Sequence, residues 1–140
     1  MIYQDVIKIS TRGFCDVVNI TKQVEDIIVE SEIKNGTVIV FIKGSTAGVT
    51  TIEYEEGLIK DFQETIERLV PQNKDYHHNK KWSDGNVASH IRASLLGPSL
   101  SIPLEDGEMA LGTWQQIVVV DFDNRPRQRE VLVQILGDKE

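Results

Sequence analysis

Three strand-like segments follow one another in the last third of the chain, and they constrain the fold more than any other feature. They are SLSIPL, MALGTWQQIVVVDFD and PRQREVLVQILG, with short turns at residues 105–107 and 124–126 between them. Earlier in the chain, strands and helices come in unequal blocks. Such an order favours an α+β fold with a mainly antiparallel sheet over a doubly wound parallel sheet.

Helical periodicity marks three segments outside that run of strands. The first, NITKQVEDIIVESEIKNG, has its apolar residues on one helical face, with Thr21 as its cap and the Asn-Gly pair as its end. The second and longest begins at Glu56 and stops at Pro71. The third is VASHIRASLL, capped by Asn86. The sequence therefore predicts two or three helices beside the sheet.

Two further segments, TVIVFIK and GVTTIEY, read as strands on either side of a turn at residues 44–48, and this arrangement predicts a hairpin. The 140 residues are 40% hydrophobic, enough to bury a core, and residues 1–140 are expected to form a single compact domain. So many strands need their edges covered, and self-association as a trimer or dimer would cover them.

Charge and composition disfavour several classes of partner. The net charge of −7 would repel a nucleic-acid backbone, and RPRQR is the only dense basic cluster. The longest apolar runs, VIVFI and IVVV, are far shorter than a membrane span. The single cysteine, Cys15, excludes an intrachain disulfide and suits a reducing compartment. We therefore expect a cytoplasmic protein that binds neither nucleic acid nor membrane.

All three histidines lie in one stretch, YHHNKKWSDGNVASH. Imidazole is a common metal ligand and exchanges protons near neutral pH. His77 and His78 are adjacent, so on an extended chain only one of them can point into a given pocket. His90 follows Asn86 by four residues and shares its side of the third helix. We predict that His78 and His90 come together; the alternative is a half-buried histidine with its hydrogen bonds satisfied.

A carboxylate could complete a site around the imidazoles. Glu53 stands at the end of a predicted strand, and two histidines with one carboxylate can hold a divalent ion such as Mg²⁺ or Zn²⁺ or act as acid and base. The alternative is an ordinary solvated charge. Asp84 and Trp82 are further neighbours of the histidines in the sequence.

Three features could bind a small phosphorylated ligand. Backbone amides and hydroxyls at Ser45 and Thr46, the N-terminus of the helix after Asn86, and the side chains of Arg127 and Arg129 all suit an anion. The alternative for the two arginines is a solvated turn followed by an edge strand.

Five segments of the chain match, in the expected order, segments of one known family: STAGVTTIEYE, YHHN, DGNVASHIRASLLG, SLSIPLEDGEMALGTWQQI at residues 99–117, and RPRQR. The fourth segment is the most specific. By these segments the chain resembles the secondary thiamine-phosphate synthase enzyme family, long catalogued as an uncharacterised protein family. The resemblance covers nearly the whole chain. Many family members carry a histidine before the Thr-Ala step, where this chain has Lys43-Gly44-Ser45, and an Asn-Glu pair where it has Ile52-Glu53.

This resemblance implies a compact α+β fold, a homotrimer, and a metal or anion pocket near a subunit boundary. It selects His78, His90 and Glu53 as the catalytic and metal-binding residues. The implied reaction joins a thiazole phosphate to a pyrimidine diphosphate with release of pyrophosphate, which makes the protein a transferase. Two alternatives use the same residues: a trimeric module that binds a metal or anion without turnover, and a metal-assisted phosphate-ester hydrolase.

Overall fold

The computed structural model of the chain describes residues 1–80 and 85–140, which form a single α+β domain. Three helices are present in these residues, α1 (Thr21–Ser31), α2 (Glu56–Leu69) and α3 (Val87–Leu96), with a short 3-10 helix at His77–Lys80. The strands are β1 (Ile2–Thr11), β2 (Asp16–Asn19), β3 (Asn35–Ile42), β4 (Ala47–Ile52), β5 (Ser99–Glu105), β6 (Glu108–Met109), β7 (Gln116–Asp121) and β8 (Arg127–Asp138).

The strands form two antiparallel sheets. One has five strands in the order β1-β8-β3-β5-β6, and the other has three in the order β2-β7-β4. The long terminal strands β1 and β8 pair along their length, from Ile2 opposite Leu136 to Thr11 opposite Arg127. This arrangement confirms the predicted α+β class and the mainly antiparallel pairing.

The three-stranded sheet is buried on both faces. Along β7, Ile117 and Val119 enter a core shared with α1 and the five-stranded sheet, whereas Val118 and Val120 enter a second core shared with α3. Partly buried apolar side chains of α2 close that second core. Successive strand residues point to opposite faces, so a strand covered on both sides reads as an unbroken apolar run. The IVVV segment is therefore explained by its two-sided burial.

The predicted hairpin of β3 and β4 is wrong. Strand β3 lies between β8 and β5 in the five-stranded sheet, while β4 pairs with β7 in the other sheet. The connection at residues 43–46 carries the chain from one sheet to the other, and Gly44 there has a φ of 118°, which favours glycine. The local pattern identified both strands correctly but not their partners.

Helix α2 begins and ends where the periodicity predicted, and α3 begins directly after Asn86. Helix α1 differs at both ends. Thr21 lies inside the helix, and the Asn19 side chain accepts a hydrogen bond from the Thr21 N–H. The helix ends at Ser31, with Glu32 in the left-handed conformation, because the Asn-Gly pair already belongs to β3. Within the described residues, no helix is long and apolar enough to cross a membrane.

Candidate functional site

Two of the three imidazoles lie side by side. The ring centroids of His78 and His90 are 5.6 Å apart, with their planes tilted by 44°. His78 belongs to the 3-10 helix and His90 to the first turns of α3, and both side chains are half-buried, whereas His77 is exposed. The prediction that His78 and His90 come together is confirmed. Their catalytic role stays a prediction.

Helix α3 is fixed to the end of β7. The Ser89 hydroxyl donates to the Phe122 carbonyl oxygen, and Phe122 directly follows β7. The His90 N–H donates to the Asn86 carbonyl oxygen at 3.3 Å, while the Asn86 side chain makes no capping hydrogen bond. The carboxyl end of β7 therefore sets the position of the imidazole on α3.

Glu53 does not join the imidazoles. It is exposed and follows β4 at Ile52, which pairs with Gln116 at the start of β7. The helix carrying His90 is attached at the other end of β7, and six residues of extended strand span roughly 20 Å. Among the described residues, no three His, Cys, Asp or Glu side chains are grouped as metal ligands. The predicted set of His78, His90 and Glu53 is thus not assembled within one chain.

Asp84 and Trp82, also considered near the histidines, lie outside the described residues.

An ionic cluster of Asp121, Asp123, Arg127 and Arg129 occupies the carboxyl end of β7. Arg129 binds Asp121 through two bonds, Nε to Oδ2 at 2.7 Å and Nη2 to Oδ1 at 2.9 Å. Arg127 Nε donates to Asp123 Oδ2 at 2.7 Å. Both carboxylates are fully buried. Thr46 joins the cluster, since its hydroxyl donates to Asp123 and accepts from Arg129.

The pKa of Asp123 lies below its ordinary value of 3.8. Burial would raise it, but the hydrogen bonds from the Asn124 backbone N–H, the Thr46 hydroxyl and the Arg127 guanidinium outweigh that effect. Hydrogen bonds and a nearby cation favour the charged form of a carboxyl group. Asp123 therefore stays ionised inside the protein.

The anion-binding role predicted for Arg127 and Arg129 stays a prediction, but both side chains are paired within this cluster. Two carboxylates offset the two guanidinium charges, so the pair brings no excess positive charge. Sequence reasoning missed Asp121 and Asp123, which it had assigned only to a strand. The available signal was charge spacing, because two acids two residues apart precede two arginines with the same separation.

The turn at residues 44–46 keeps donors available. Within the described residues, the backbone N–H groups of Gly44, Ser45 and Thr46 make no hydrogen bond to a protein acceptor. Arg129 packs against this turn: a Cβ atom at Gly44 would lie 2.6 Å from Nη1. Successive free N–H groups in a turn form a concave site that suits an anion.

A shallow cavity of about 190 Å³ lies beside this turn, with Gly44 and Ser45 on one side and Ala93 and Ser94 of α3 on another. Ser94 follows His90 by one turn of the same helix face, and its hydroxyl donates to the His90 carbonyl oxygen. The rise along α3 between the two residues is about 6 Å. The free amides and the imidazole pair thus border neighbouring parts of one surface.

A larger cavity lies elsewhere. It measures about 510 Å³ and lies between α1 and the segment leading into β7, with Glu25, Glu108 and Gln116 among its polar side chains. Trp114, in the most specific sequence segment, is 71% exposed.

The fold and sequence have clear relatives. The family model described as "UPF0047 protein YjbQ-like" matches residues 5–138. A UPF0047 protein of Archaeoglobus fulgidus is 40% identical over 121 residues, which cover 86% of this chain and 91% of that protein. A UPF0047 protein of Methanocaldococcus jannaschii is 36% identical over 140 residues, covering 99% of this chain and 96% of the relative.

Solved structures agree with this relationship. A YbjQ-like protein of unknown function from Sulfolobus solfataricus P2 superposes with a TM-score of 0.94 at 36% identity, and the match covers 99% of each chain. A hypothetical protein from Aeropyrum pernix K1 gives a TM-score of 0.91 at 30% identity, over 97% of this chain and 99% of that one.

These findings correct the assignment made from sequence segments. The matching family model and these relatives carry no thiamine-phosphate synthase description, so the assignment to that enzyme family is wrong. The segments that suggested it, including residues 99–117, fall inside the matched region. The chain belongs to the UPF0047 family of YjbQ-like proteins.

Proposed function

We propose that the chain binds a small phosphorylated molecule at the turn of residues 44–46 and that His78 and His90 exchange protons with it. The observation that carries this proposal is the pairing of the two half-buried rings, 5.6 Å apart, on the surface next to the turn. Imidazole groups so placed can donate to a phosphate oxygen or accept a proton from an attacking group.

The turn at residues 44–46 can bind a phosphate group through backbone N–H groups, without a large positive charge. Its three N–H groups have no acceptor among the described residues, and Arg129 Nη1 lies against Gly44. Ser94 adds a hydroxyl on the α3 side of the cavity. Backbone amides bind a phosphate group through directed hydrogen bonds. Because the turn already has a fixed geometry, little conformational entropy is lost on binding.

The first experiment follows backbone amide signals by NMR during titration with inorganic phosphate. The amides of Gly44, Ser45 and Thr46 should shift and saturate, while those of the distant Gly107 turn should not. The absence of a shift at residues 44–46 would refute the phosphate site.

The second experiment separates binding from turnover. His90→Asn and the matched control His77→Asn, at the exposed neighbour of His78, are compared for phosphate affinity and for hydrolysis of p-nitrophenyl phosphate. Each protein is assayed alone and with Mg²⁺ or Zn²⁺. If the protein is a phosphatase, His90→Asn should lose hydrolysis of p-nitrophenyl phosphate, and His77→Asn should retain it. A binding module shows no turnover in any protein and weaker phosphate binding in His90→Asn. Equal behaviour of the two variants would remove His90 from the site.

Self-association is part of the proposal. On the outer face of the five-stranded sheet, Val6 lies opposite Leu132, and Leu132 lies opposite Phe41. Val6 and Phe41 are exposed, as are Ile2 and Leu136 further along the same face. The hydrogen-bonded pair of Gln4 and Gln134 separates these two apolar rows. Exposed apolar side chains grouped on one face are typical of an interaction site. We propose an assembly of three copies of the chain. The apolar face supports self-association, but it does not determine the number of copies.

Light scattering at micromolar concentration tests the assembly. The proposed homotrimer should have three times the chain mass, and Phe41→Glu should dissociate it, whereas Lys60→Glu on the exposed surface of α2 should not. A single-chain mass for the unaltered protein would refute it. The cytoplasm is the proposed location, supported by a Cys15 thiol that is buried and unpaired.

A further inference from the structure

A second polar cavity lies beside α3, on the side away from His90. Its volume is about 250 Å³, and Arg92 of α3 forms part of its wall. Arg92 follows His90 by two residues, which places the two side chains on opposite sides of the helix. The cavity is therefore separate from the surface assigned to the phosphorylated ligand.

Arg92 is 6% exposed and anchored at one side of its guanidinium group. Nε and Nη2 donate to the Val70 carbonyl oxygen at 3.1 and 2.8 Å, and Nη2 also binds Glu67. Nη1 makes no hydrogen bond to any described residue. A guanidinium group has five N–H donors, so donors remain for a ligand in the cavity.

Two glutamines in the cavity wall have a fixed amide orientation. Gln63 Nε2 donates to the Cys15 carbonyl oxygen at 2.9 Å, and Gln72 Nε2 donates to the Gly85 carbonyl oxygen at 3.0 Å. A carbonyl oxygen can only accept, so the amide nitrogen must be the atom facing it. The Oε1 atom of each glutamine has no donor among the described residues and is left as an acceptor.

Among the described residues that line the cavity, the charges balance. The Arg92 cation is paired with the Glu67 carboxylate. The pKa of Glu67 is lowered, first by a hydrogen bond from the Gln72 backbone N–H and also by Arg92, so Glu67 remains ionised beside its partner. An anionic ligand would meet this carboxylate, and a cationic one would meet Arg92. The wall favours a neutral ligand with hydrogen-bonding groups.

Phe14 supplies an aromatic surface at the same cavity. Its side chain is 71% exposed although its backbone is left-handed, with a φ of 56°, and Cys15 follows with a φ of 66°. Such conformations cost of order 1–3 kcal/mol per residue and concentrate at functional sites. The ring gains little from burial in return, and an exposed aromatic face can stack on a planar ligand.

We infer that this cavity binds a planar cyclic ureide, a ring in which one carbonyl group is flanked by two N–H groups. The carbonyl oxygen accepts from Arg92 Nη1, the two N–H groups donate to Oε1 of Gln63 and Gln72, and the ring stacks on Phe14. A free pyrimidine base such as uracil and its nucleoside share this chemistry. The nucleoside lacks one N–H because its sugar occupies that ring nitrogen, so the site favours the free base.

The experiment titrates the full chain with uracil, uridine and 1,3-dimethyluracil and follows the side-chain amide signals of Gln63 and Gln72 by NMR. Uracil should give saturable shifts. Dimethyluracil has the same ring but no N–H donor, and uridine keeps one. Each lost hydrogen bond should weaken binding by about fivefold. Equal affinity for all three compounds, or no shift with uracil, would overturn the inference.

Variants test the wall of the cavity. Gln63→Met keeps the length of the side chain but removes the acceptor, and Phe14→Ala removes the stacking surface. Both should weaken uracil binding about fivefold. Phe14→Ala should leave the melting temperature unchanged, whereas Gln63→Met also removes the hydrogen bond to the Cys15 carbonyl oxygen and should lower it slightly. Gln115→Met, near the other end of β7, is the matched control and should bind uracil normally. His90→Asn should also bind uracil normally, so this site and the phosphate site succeed or fail separately. Unchanged affinity in both cavity variants would refute the site.

Discussion

The two ends of β7 are built from different polar groups, although the strand between them is uniformly apolar and buried. At the carboxyl end, Asp121 and Asp123 are fully buried and bound by arginines. At the amino end, Gln115 is exposed and donates to the Thr51 hydroxyl, and Gln116 accepts from the Asn19 side chain. Ionised groups without water need fixed partners, whereas exposed neutral amides can exchange protein partners for water.

The different polar groups at the two ends of β7 determine where side chains can be held at fixed distances from one another. The ionic cluster holds Thr46, and through it the turn with free amides, while Phe122 next to the cluster holds α3. Strong, directed bonds at this end fix the spacing of the turn and the imidazole of His90. At the amino end, hydrogen bonds between amides leave room for the larger cavity and for adjustment of its wall.

The largest effect should come from removing the central cation. Arg129→Met leaves the buried Asp121 carboxylate without its partner and takes a donor from Thr46. Breaking a buried pair in this way costs about 3–5 kcal/mol. Urea denaturation followed by circular dichroism measures the free energy of unfolding. Arg129→Lys keeps the charge but lacks the two-pronged geometry, so its loss should be smaller. A loss below about 1 kcal/mol in Arg129→Met would show that the cluster does not stabilise this end.

Acid should weaken the same end next. Because the pKa of Asp123 is lowered in the folded chain, its contribution to stability is present above the ordinary value of 3.8 and is lost as pH falls through the lower folded value. Asp123→Asn should be less stable than the unaltered chain at neutral pH, and the gap should narrow below pH 3.8. Urea midpoints at a series of pH values measure it. The control is Asp26→Asn, at an exposed carboxylate paired with Lys22, whose gap should stay small throughout.

The sequence predicted the class of the fold and the type of nearly every element, because those follow from local periodicity. It did not predict how the strands divide between two sheets. TVIVFIK and GVTTIEY are both short segments rich in β-branched residues, and nothing in either pattern states that Gly44 carries the chain between sheets. Strand partners depend on long-range packing, which a local pattern does not contain.

The sequence predicted only part of the site, because the remaining contacts depend on long-range packing. His78 and His90 were expected together and are together, since only twelve positions separate the two residues in the chain. Glu53 was placed with them by a resemblance, and strand register puts it at the opposite end of the sheet. The arginines were identified, but their partners Asp121 and Asp123 were not. Both carboxylates are buried in the folded chain, and the burial of a charged side chain is not visible in a local pattern.

Strain at the carboxyl end can be relieved by one substitution. The Phe14 N–H donates to the Asp123 carbonyl oxygen at 2.7 Å, and this bond accompanies its left-handed backbone. Phe14→Gly removes the strain and loses little burial, so it should stabilise the chain by about 0.5–1 kcal/mol. Thermal unfolding measures the change. Cys15→Gly at the next left-handed residue is the contrast: its side chain is buried, so that variant should lose stability. A destabilised Phe14→Gly would mean that the exposed ring is held by contacts that outweigh the strain.

The smallest effect is expected at the amino end of β7. Gln115 accepts from the Gly112 N–H at 2.7 Å and donates to Thr51 at 3.2 Å, so it closes the turn before β7 and ties it to β4. Water can replace both partners of this exposed side chain, and Gln115→Ala should therefore cost less than about 1 kcal/mol. The change should instead be local. Hydrogen exchange at the Gly112 amide should accelerate, because that N–H loses its acceptor, while exchange at the Phe122 amide, which donates to Thr46, should not change. A loss as large as that of Arg129→Met, or faster exchange at both amides, would mean that the two ends of the strand are held by one cooperative network and that the contrast between them is not energetic.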